Sequence, residues 1–367
     1  MNAFAIYKLP HDRMATLMIQ RQKGAVTSVE LSTLNGESGF LLSPFMLTTE
    51  EPCILIAPDE CYTVPFEQLG DADWQQRLEQ LEPCLHACGT SQDEDGREAY
   101  HKAFSRCYEA LCEGRVEKVV LARTSFEPLC RHTPYEMFLQ ACRDYPRMFV
   151  ALVSTPVSGT WLMASPELLL ENEQQSSNRW HTMALAGTMR LEGEQLQFDN
   201  PRQDGVQDIR WSQKNIQEQR LVATYVRQCL QRLDAEVEET GPFTKRAADL
   251  VHLCSDFHAV TNGTKAVGEI VASLHPTPAV CGLPKHQALN FILHNEHHDR
   301  SYYSGFMGPL FVDDTTHLFV TLRCMQLFTN GYHLYAGGGI LCDSQEEQEW
   351  HETEIKLDTM RRVIKTE

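Results

Sequence analysis

The sequence predicts an α+β fold built on antiparallel β-sheets. Thr329-Asn330-Gly331 separates two apolar runs, and Asn-Gly at such a position is a strong hairpin signal. Long helical segments occur in the same chain, and hairpins mixed with long helices favour α+β over a doubly wound parallel sheet. With 367 residues, 42% of them hydrophobic, the chain can bury a large core.

Individual elements follow from local patterns. Strands are predicted from apolar runs at 116–122, 148–154, 160–165, 317–328 and 332–336. Helices are predicted at 97–114, 207–234, 286–297 and 346–364. In the first of these, Gly114 is a plausible C-terminal cap. An acidic stretch at 91–96 separates a first part, residues 1–95, from residues 96–367, which hold most of the motifs. We expect both parts to belong to one fold.

The charge balance limits the classes of partner. The formal net charge is −18, from 32 Lys plus Arg against 50 Asp plus Glu. Such acidity argues against nucleic acid or an anionic membrane as the main partner. An anionic small-molecule substrate would therefore require a locally basic pocket.

Cysteine usage and the N-terminal residues bear on location. Thirteen cysteines occur without a C-x-x-C pair, which is typical of reduced thiols in a cytosol. The first residues lack a basic start followed by an apolar run, and no apolar stretch approaches the roughly 20 residues of a membrane span. We expect a cytoplasmic protein.

Two charged residues lie in apolar strand-like runs. Lys118 falls between Val116 and Val120 on one strand face. It is either an edge-strand lysine that reaches solvent or a partly buried lysine that acts as a base. Glu167 precedes Leu168-Leu169-Leu170, and is either a surface residue at a strand end or an acid with a raised pKa.

Two further glutamates lie on predicted helices. Glu218 belongs to the apolar stripe of its helix. It either reaches water at the edge of that stripe or faces inward with a cation as its partner. Glu352 lies four residues before Lys356. They form either a solvated pair worth about 0.2–0.5 kcal/mol or a metal-bound carboxylate beside an ammonium that binds an anion.

Arg323 completes the set. In the predicted strand 317–328 it shares a face with Phe319 and Thr321. It either faces solvent or clamps a carboxylate through its guanidinium. Together the six residues supply two acid–base groups, two carboxylates for Mg²⁺ and two cations, an inventory that suits chemistry on a small dianion bound through Mg²⁺.

A series of motifs resembles the chorismate-binding enzymes: isochorismate synthases, salicylate synthases, and the large subunits of anthranilate and aminodeoxychorismate synthases. The resemblance runs from about residue 100 to the C-terminus. It is carried by KVVLAR at 118–123, ASPEL at 164–168, LAGT at 185–188, LHPTPA at 274–279, DR at 299–300, YAGGGI at 335–340, EWHET at 349–353 and KL at 356–357.

The resemblance implies one large domain with two stacked, mostly antiparallel sheets flanked by helices. It also implies Lys118 as the base that activates water, Glu167 as the acid that protonates a departing hydroxyl, and Glu218 and Glu352 as Mg²⁺ ligands. The substrate-binding residues that it implies are Gly187, Thr188, His275, Ala279, Arg323, Tyr335, Gly337 and Lys356. One departure concerns the metal helix, where the family often reads Lys-Asp-x-x-Glu-His and this chain has Asn215 and Gln219 in place of the acid and the histidine.

The implied reaction is that of an isochorismate synthase, in which water adds at C2 of chorismate and hydroxide leaves from C4, with the product feeding menaquinone or siderophore synthesis. The alternative is a salicylate synthase, which also eliminates pyruvate. An aminating relative and a catalytically silent chorismate-binding protein are further alternatives. Lys118 favours water as the nucleophile, and Ala186 stands where the aminodeoxychorismate type carries a nucleophilic lysine. We therefore expect no obligatory glutaminase subunit.

Overall fold

A computed structural model describes residues 3–21, 26–28, 30–34, 37–87, 96–172, 178–191, 209–247, 250–261 and 267–365. In these residues the strands are β1 Ala3–Lys8, β2 Met14–Gln20, β3 Val26–Ser28, β4 Gly39–Ser43, β5 Cys53–Ile56, β6 Glu60–Pro65, β7 Lys118–Pro128, β8 Phe149–Thr155, β9 Gly159–Ser165, β10 Leu168–Asn172, β11 Arg179–Arg190, β12 Glu236–Ala247, β13 Leu250–Val260, β14 Gly282–Leu283, β15 Phe306–Leu310, β16 His317–Val320, β17 Cys324–Phe328 and β18 Gly331–Ile340. The α-helices are α1 Ala72–Glu79, α2 Gly96–Cys112, α3 Pro134–Asp144, α4 Gln213–Arg232, α5 Val267–Leu274, α6 Lys285–Asn295 and α7 Glu346–Lys365.

The strands form two sheets whose paired strands run antiparallel. Sheet A has the order β14-β7-β18-β17-β9-β8-β1-β2-β6, and sheet B has the order β12-β13-β11-β10-β16-β15-β4-β5-β3. The predicted hairpin is present, with Phe328 of β17 opposite Gly331 of β18. The first part of the chain supplies strands to both sheets, since β1 pairs with β8 and β4 pairs with β15. We propose on this basis that residues 1–95 and 96–367 form one domain.

The two sheets stack face to face around an apolar layer. Phe149 of sheet A and Phe319 of sheet B lie with ring centroids 4.4 Å apart. Outside sheet A, α3 and α7 bury residues such as Phe138 and Met360 in a second cluster. Outside sheet B, α4 and α5 bury a third. The predicted α+β class, with two stacked antiparallel sheets flanked by helices, is confirmed.

Helix ends follow local capping chemistry. Helix α2 ends at Cys112, and Gly114, with φ +70°, turns the chain so that Arg115 N donates to Ala110 O at 2.9 Å. The helix predicted at 207–234 begins later, at Gln213. The Ser212 side chain caps it by accepting a hydrogen bond from Asn215 N at 3.1 Å. Residues 207–208 lie outside the described residues.

The prediction of one continuous strand at 317–328 is wrong. The chain leaves sheet B after Val320 and enters sheet A at Cys324, so β16 and β17 belong to different sheets. Arg323 has a left-handed φ of 45° at this crossing and does not continue the face of Phe319. The apolar alternation continues across the break because both sheets face the same core, so the pattern gave no sign of a crossing.

Candidate active site

A cleft opens between the two sheets where the chain crosses from one to the other. It encloses about 670 Å³ of space, part of it open to solvent. Its lining comes from both sheets and from α4 and α7, and consists of Val120, Pro166, Glu167, Leu185, Ala186, Gly187, Thr188, Glu218, His252, Ala279, Val280, Tyr303, Leu322, Arg323, Tyr335, Ala336, Gly337, Gly339, Glu352 and Lys356.

Two crossing segments place Glu167 and Arg323 in this cleft. Glu167 lies between β9 and β10, and its carbonyl accepts a hydrogen bond from Val320 N at 3.0 Å. Arg323 lies between β16 and β17, and its carbonyl accepts from Ala164 N at 3.2 Å. The two crossings therefore brace each other, and each presents a charged side chain to the cleft.

Burial favours the protonated form of the Glu167 carboxyl group. Its side chain is 4% exposed, and this burial raises its pKa to about 8, although the charges of Lys118 and Lys356 act in the opposite direction. A carboxyl group with that pKa keeps its proton at neutral pH and can donate it.

Lys118 and Glu218 form a buried ion pair behind the cleft. Lys118 is the first residue of β7 and is fully buried, and its Nζ lies 2.8 Å from Glu218 Oε1. Burial alone would raise the pKa of Glu218, but the contact with Lys118, together with the charges of Lys356 and Lys214, outweighs it and the pKa is lowered. Glu218 is thus an inward-facing carboxylate with a cation partner.

Helix α7 supplies the other charges. Lys356 Nζ lies 2.7 Å from Glu352 Oε1 and donates to Gly337 O at 2.8 Å, which ties the helix to β18. One turn earlier, Glu349 forms an ion pair with Lys214 of α4. Each of the three glutamates is therefore matched by one lysine.

The glycines of β18 leave room for two of these carboxylates. A Cβ on Gly339 would lie 2.2 Å from Glu218 Oε1, and a Cβ on Gly338 would lie 3.3 Å from Glu349 Oε2. A side chain at Gly339 would therefore displace Glu218 or the lysine paired with it. These glycines provide space for charged groups, and no phosphate-binding loop is formed.

His252 was not identified from the sequence, yet it holds Arg323. Its Nδ1 lies 3.0 Å from Gly187 O, and its Nε2 lies 2.8 Å from Arg323 Nη2. A carbonyl can only accept, so Nδ1 carries the proton and Nε2 accepts from the guanidinium. Burial and the charge of Arg323 keep the pKa of His252 well below its usual value, which agrees with a neutral ring.

The Gly187 carbonyl reaches His252 because β11 bulges there. The register between β11 and β13 shifts between Ala186 and Thr188, and Gly187 has φ +74°. A side chain at this position would be strained and would approach Asn215. In the sequence, the alternation of β13 points His252 toward the same face as Cys254, but its partner depends on this bulge.

Most of the residues singled out from the sequence converge on the cleft. Gly187, Thr188, Ala279, Tyr335 and Gly337 line it, together with Glu167, Glu218, Arg323, Glu352 and Lys356. Lys118 does not line the cleft and lies behind it, with its Nζ 2.8 Å from Glu218 Oε1. His275 does not line the cleft either. Its Nε2 donates to the carbonyls of Pro44 and Phe45, each at 3.2 Å. Burial lowers the pKa of His275 to about 4, so a neutral ring supports the main chain there.

The carboxylates of the cleft fit a hard divalent cation. Glu218 and Glu352 both line it, and Mg²⁺ typically takes one or two protein carboxylates plus water and substrate oxygens. Within the described residues, no group of three or more His, Cys, Asp or Glu side chains could hold a metal ion. Glu218 and Glu352 are thus the two carboxylates of the cleft that could serve an ion whose other ligands are water and substrate oxygens.

This fold and this set of converging residues define a class of protein. The chain belongs to the chorismate binding enzyme family, because the sequence model of that family matches residues 48–365. It is 30% identical over 285 residues to the salicylate biosynthesis isochorismate synthase of Pseudomonas aeruginosa, covering 77% of this chain and 58% of that protein. This chain thus spans less than two thirds of that relative.

Two further proteins are similar. The isochorismate synthase DhbC of Bacillus subtilis is 30% identical over 311 residues, 80% of this chain and 73% of that protein. The structure of MenF, the menaquinone-specific isochorismate synthase of Escherichia coli, superposes with a TM-score of 0.78 at 21% identity, covering 99% of this chain and 89% of that one. No α-helix in the described residues is long and apolar enough to cross a membrane.

The raised pKa of Glu167 predicts a pH-dependent stability. The pKa of Glu167 rises from 4.5 to about 8 on folding, so its contribution to the free energy of unfolding is full at low pH and is lost as the pH rises through that interval. Relative to the Glu167→Gln variant, the free energy of unfolding of the wild type should fall by about 1 kcal/mol for each pH unit. Urea unfolding at pH 5, 6, 7 and 8 would measure this.

The control for this experiment is Glu79→Gln, at an exposed glutamate. We expect its unfolding free energy to stay parallel to that of the wild type. A Glu167→Gln curve that also ran parallel would show that Glu167 is already ionised at neutral pH.

Proposed function

We propose that this protein is an isochorismate synthase that converts chorismate to isochorismate with Mg²⁺. The observation that supports the proposal is a cleft lined by Glu167, whose pKa is raised to about 8, and by two further carboxylates and two cations, with Lys118 buried behind it against Glu218. The similarity to isochorismate synthases at 30% identity supports the same activity.

Each side chain has one task in the proposed reaction. Lys118 accepts a proton from the water that attacks C2. Glu167 gives its proton to the C4 hydroxyl, which leaves as water while the ring double bonds shift. The two proton transfers balance, and acid–base groups of this kind each contribute roughly 10²–10⁴-fold to the rate.

The remaining charges orient the dianionic substrate. Arg323, held by His252, and Lys356, held by Gly337, would bind a substrate carboxylate. Mg²⁺, when held by Glu218 and Glu352, would bind carboxylate oxygens and neutralise their charge. Substrate binding would hold the ring between the acid and the base, so that the reacting groups are already aligned when the reaction begins. Ala186 has no lone pair to attack the ring, so no covalent ring intermediate can form at that position, and Lys118 favours water over ammonia as the nucleophile.

We predict that Lys118→Ala and Glu167→Gln each lower kcat by at least about 10², because each variant removes one proton transfer. Wild-type activity should also fall as the pH rises through about 8, where Glu167 loses its proton. Steady-state assays with circular dichroism as a folding control would measure this. A near-wild-type kcat for either variant would contradict its role.

We predict that EDTA removes activity and that added Mg²⁺ restores it. Glu218→Ala and Glu352→Ala should each raise the Mg²⁺ concentration needed for half-maximal activity by at least about tenfold, because each removes one of two carboxylate ligands. Exposed Glu109→Ala is the matched control and should behave like the wild type. Full turnover in metal-free buffer would exclude this mechanism.

We predict isochorismate in equilibrium with chorismate, with no amino product when ammonium is present. Chromatography of the products would resolve chorismate, isochorismate and any amino product. Pyruvate release coupled to lactate dehydrogenase would measure elimination. At most trace pyruvate should appear. Stoichiometric pyruvate without an added lyase would replace the synthase assignment by salicylate synthase.

A further inference from the structure

A row of titratable side chains crosses five strands of sheet B. Residues that lie directly opposite each other in neighbouring strands share a sheet face, and the row is made of such residues: Glu238 of β12, His258 of β13, His181 of β11, Glu171 of β10 and His317 of β16. None of these five residues lines the cleft, and the proposed reaction has no use for them.

His181 lies at the centre of the row between two carboxylates. Its Nδ1 lies 2.7 Å from Glu171 Oε1, and its Nε2 lies 3.4 Å from Asp256 Oδ1. An ionised carboxylate can only accept a hydrogen bond, and a neutral imidazole has one donor nitrogen. Since both ring nitrogens face carboxylate oxygens, both carry a proton and the ring is an imidazolium. Burial alone would lower the pKa of His181, but the contacts with Asp256 and Glu171 raise it to about 9.

The groups around this ring place a negative charge on one side of it and a second imidazole on the other. The other oxygen of Glu171 lies 3.0 Å from His317 Nδ1. Burial alone would raise the pKa of Glu171, but the hydrogen bonds from His181 and His317 lower it to about 2, so the carboxylate stays ionised. The ring of His258 stacks on that of His181, with centroids 4.7 Å apart and an interplanar angle of 10°.

Three more charged residues lie near the ring. Arg179, two residues before His181 in β11, is exposed on the same strand face. Lys245 of β12 places its Nζ 3.5 Å from Sδ of Met183, which lies two residues after His181 on that face. Glu238, at the outer end of the row, is exposed. The largest effects on the pKa of His181 come from burial and from the two carboxylates in contact with it.

The strands that His181 and its partners join lead at their other ends into the cleft. Glu167 immediately precedes β10, and Gly187 lies near the end of β11. His252 lies near the start of β13, and Arg323 follows the end of β16 by three residues. All four residues line the cleft. A contact that fixes these strands at one end therefore limits how far they can shift at the other.

We propose that His181 is an imidazolium at neutral pH and forms a pH-sensitive bridge between Glu171 and Asp256, which holds the strands of the cleft in register. It is a positioning residue, because it touches none of the reacting groups. Folding raises the pKa of His181 from 6.5 to about 9, so the stabilisation is fully present below about pH 6.5 and is lost as the pH rises through about 9. The effect on catalysis rests on the function proposed above, whereas the charge of the ring and the effect on stability do not.

Selective ¹⁵N labelling of histidine measures the charge of the ring directly. The His181 signals are identified by their loss in His181→Gln, and both ring nitrogens should report bound protons up to about pH 8. Glu171→Gln should lower the midpoint of this titration by at least about one pH unit, since it removes the closer carboxylate. A wild-type ring that is neutral at pH 7.5, or a midpoint that does not change in Glu171→Gln, would overturn the proposal.

Urea unfolding between pH 6 and 10 tests the effect on stability. Relative to His181→Gln, the unfolding equilibrium constant of the wild type should rise about tenfold for each pH unit between about pH 7 and 9. His286→Gln, at an exposed histidine, is the matched control and should run parallel to the wild type. A His181→Gln curve that also runs parallel to the wild type would show that no such bridge forms.

The positioning role needs a measurement of its own. At pH 7.5, His181→Gln should lower kcat/KM by at least about threefold, because the strands of the cleft lose one fixed end. His181→Lys, which keeps a cation to about pH 10, should restore most of this activity, and its activity relative to the wild type should rise as the pH passes 9. Wild-type kcat/KM in His181→Gln would overturn the positioning role. If the wild type makes no isochorismate, the proposed function fails, and the labelling and unfolding measurements still decide whether the bridge exists.

Discussion

The central constraint on this structure is that charged side chains are buried between two apolar sheets. An unpaired ion in such a place is unfavourable by several kcal/mol, and three glutamates of the site are each paired with one lysine: Lys118 with Glu218, Lys214 with Glu349, and Lys356 with Glu352. The pairs join β7, α4 and α7, so the same contacts that compensate the charges also fix the elements that carry them. Rigid, pre-positioned charge is what stabilises a developing charge in a reaction without further reorganisation.

The same environment shifts the pKa values of two carboxyl groups, those of Glu167 and Glu218, in opposite directions. Glu218 has a lysine at 2.8 Å and its pKa is lowered, whereas Glu167 is buried, has no such direct ion pair within the described residues, and has a pKa raised to about 8. Burial acts on both in the same direction, so the direct contact with Lys118 is what distinguishes the pKa of Glu218 from that of Glu167. Separating two carboxyl groups by their surroundings is a general way to obtain an acid and an anion in one site.

The sequence predicted the fold class, and most of the residues that it singled out lie in or beside one cleft. Lys118 among valines and Glu218 on an apolar helix stripe each allowed a solvent-exposed alternative, and it was their place within a series of family motifs that favoured the inward-facing one. Arg323 was found as a cation, but its setting was predicted wrongly, because two stacked sheets share one core and the apolar alternation does not reveal where the chain changes sheets. His252 was missed, since its role depends on a bulge at Gly187 that brings a carbonyl to its ring. His275 belongs to a site motif, yet its ring is occupied by the carbonyls of Pro44 and Phe45.

The crossings between the sheets explain why Glu167 and Arg323 share a cleft. A chain that stays within one sheet satisfies its main chain by strand pairing, whereas a chain that changes sheets must find other partners. Here the two crossings use each other, with Val320 N bonded to Glu167 O and Ala164 N bonded to Arg323 O. The side chains at these positions are therefore placed by main-chain hydrogen bonds that do not depend on their own charges. Such a frame can keep Glu167 and Arg323 in place while their protonation and ligands change, and a site that must bind, react and release requires that independence.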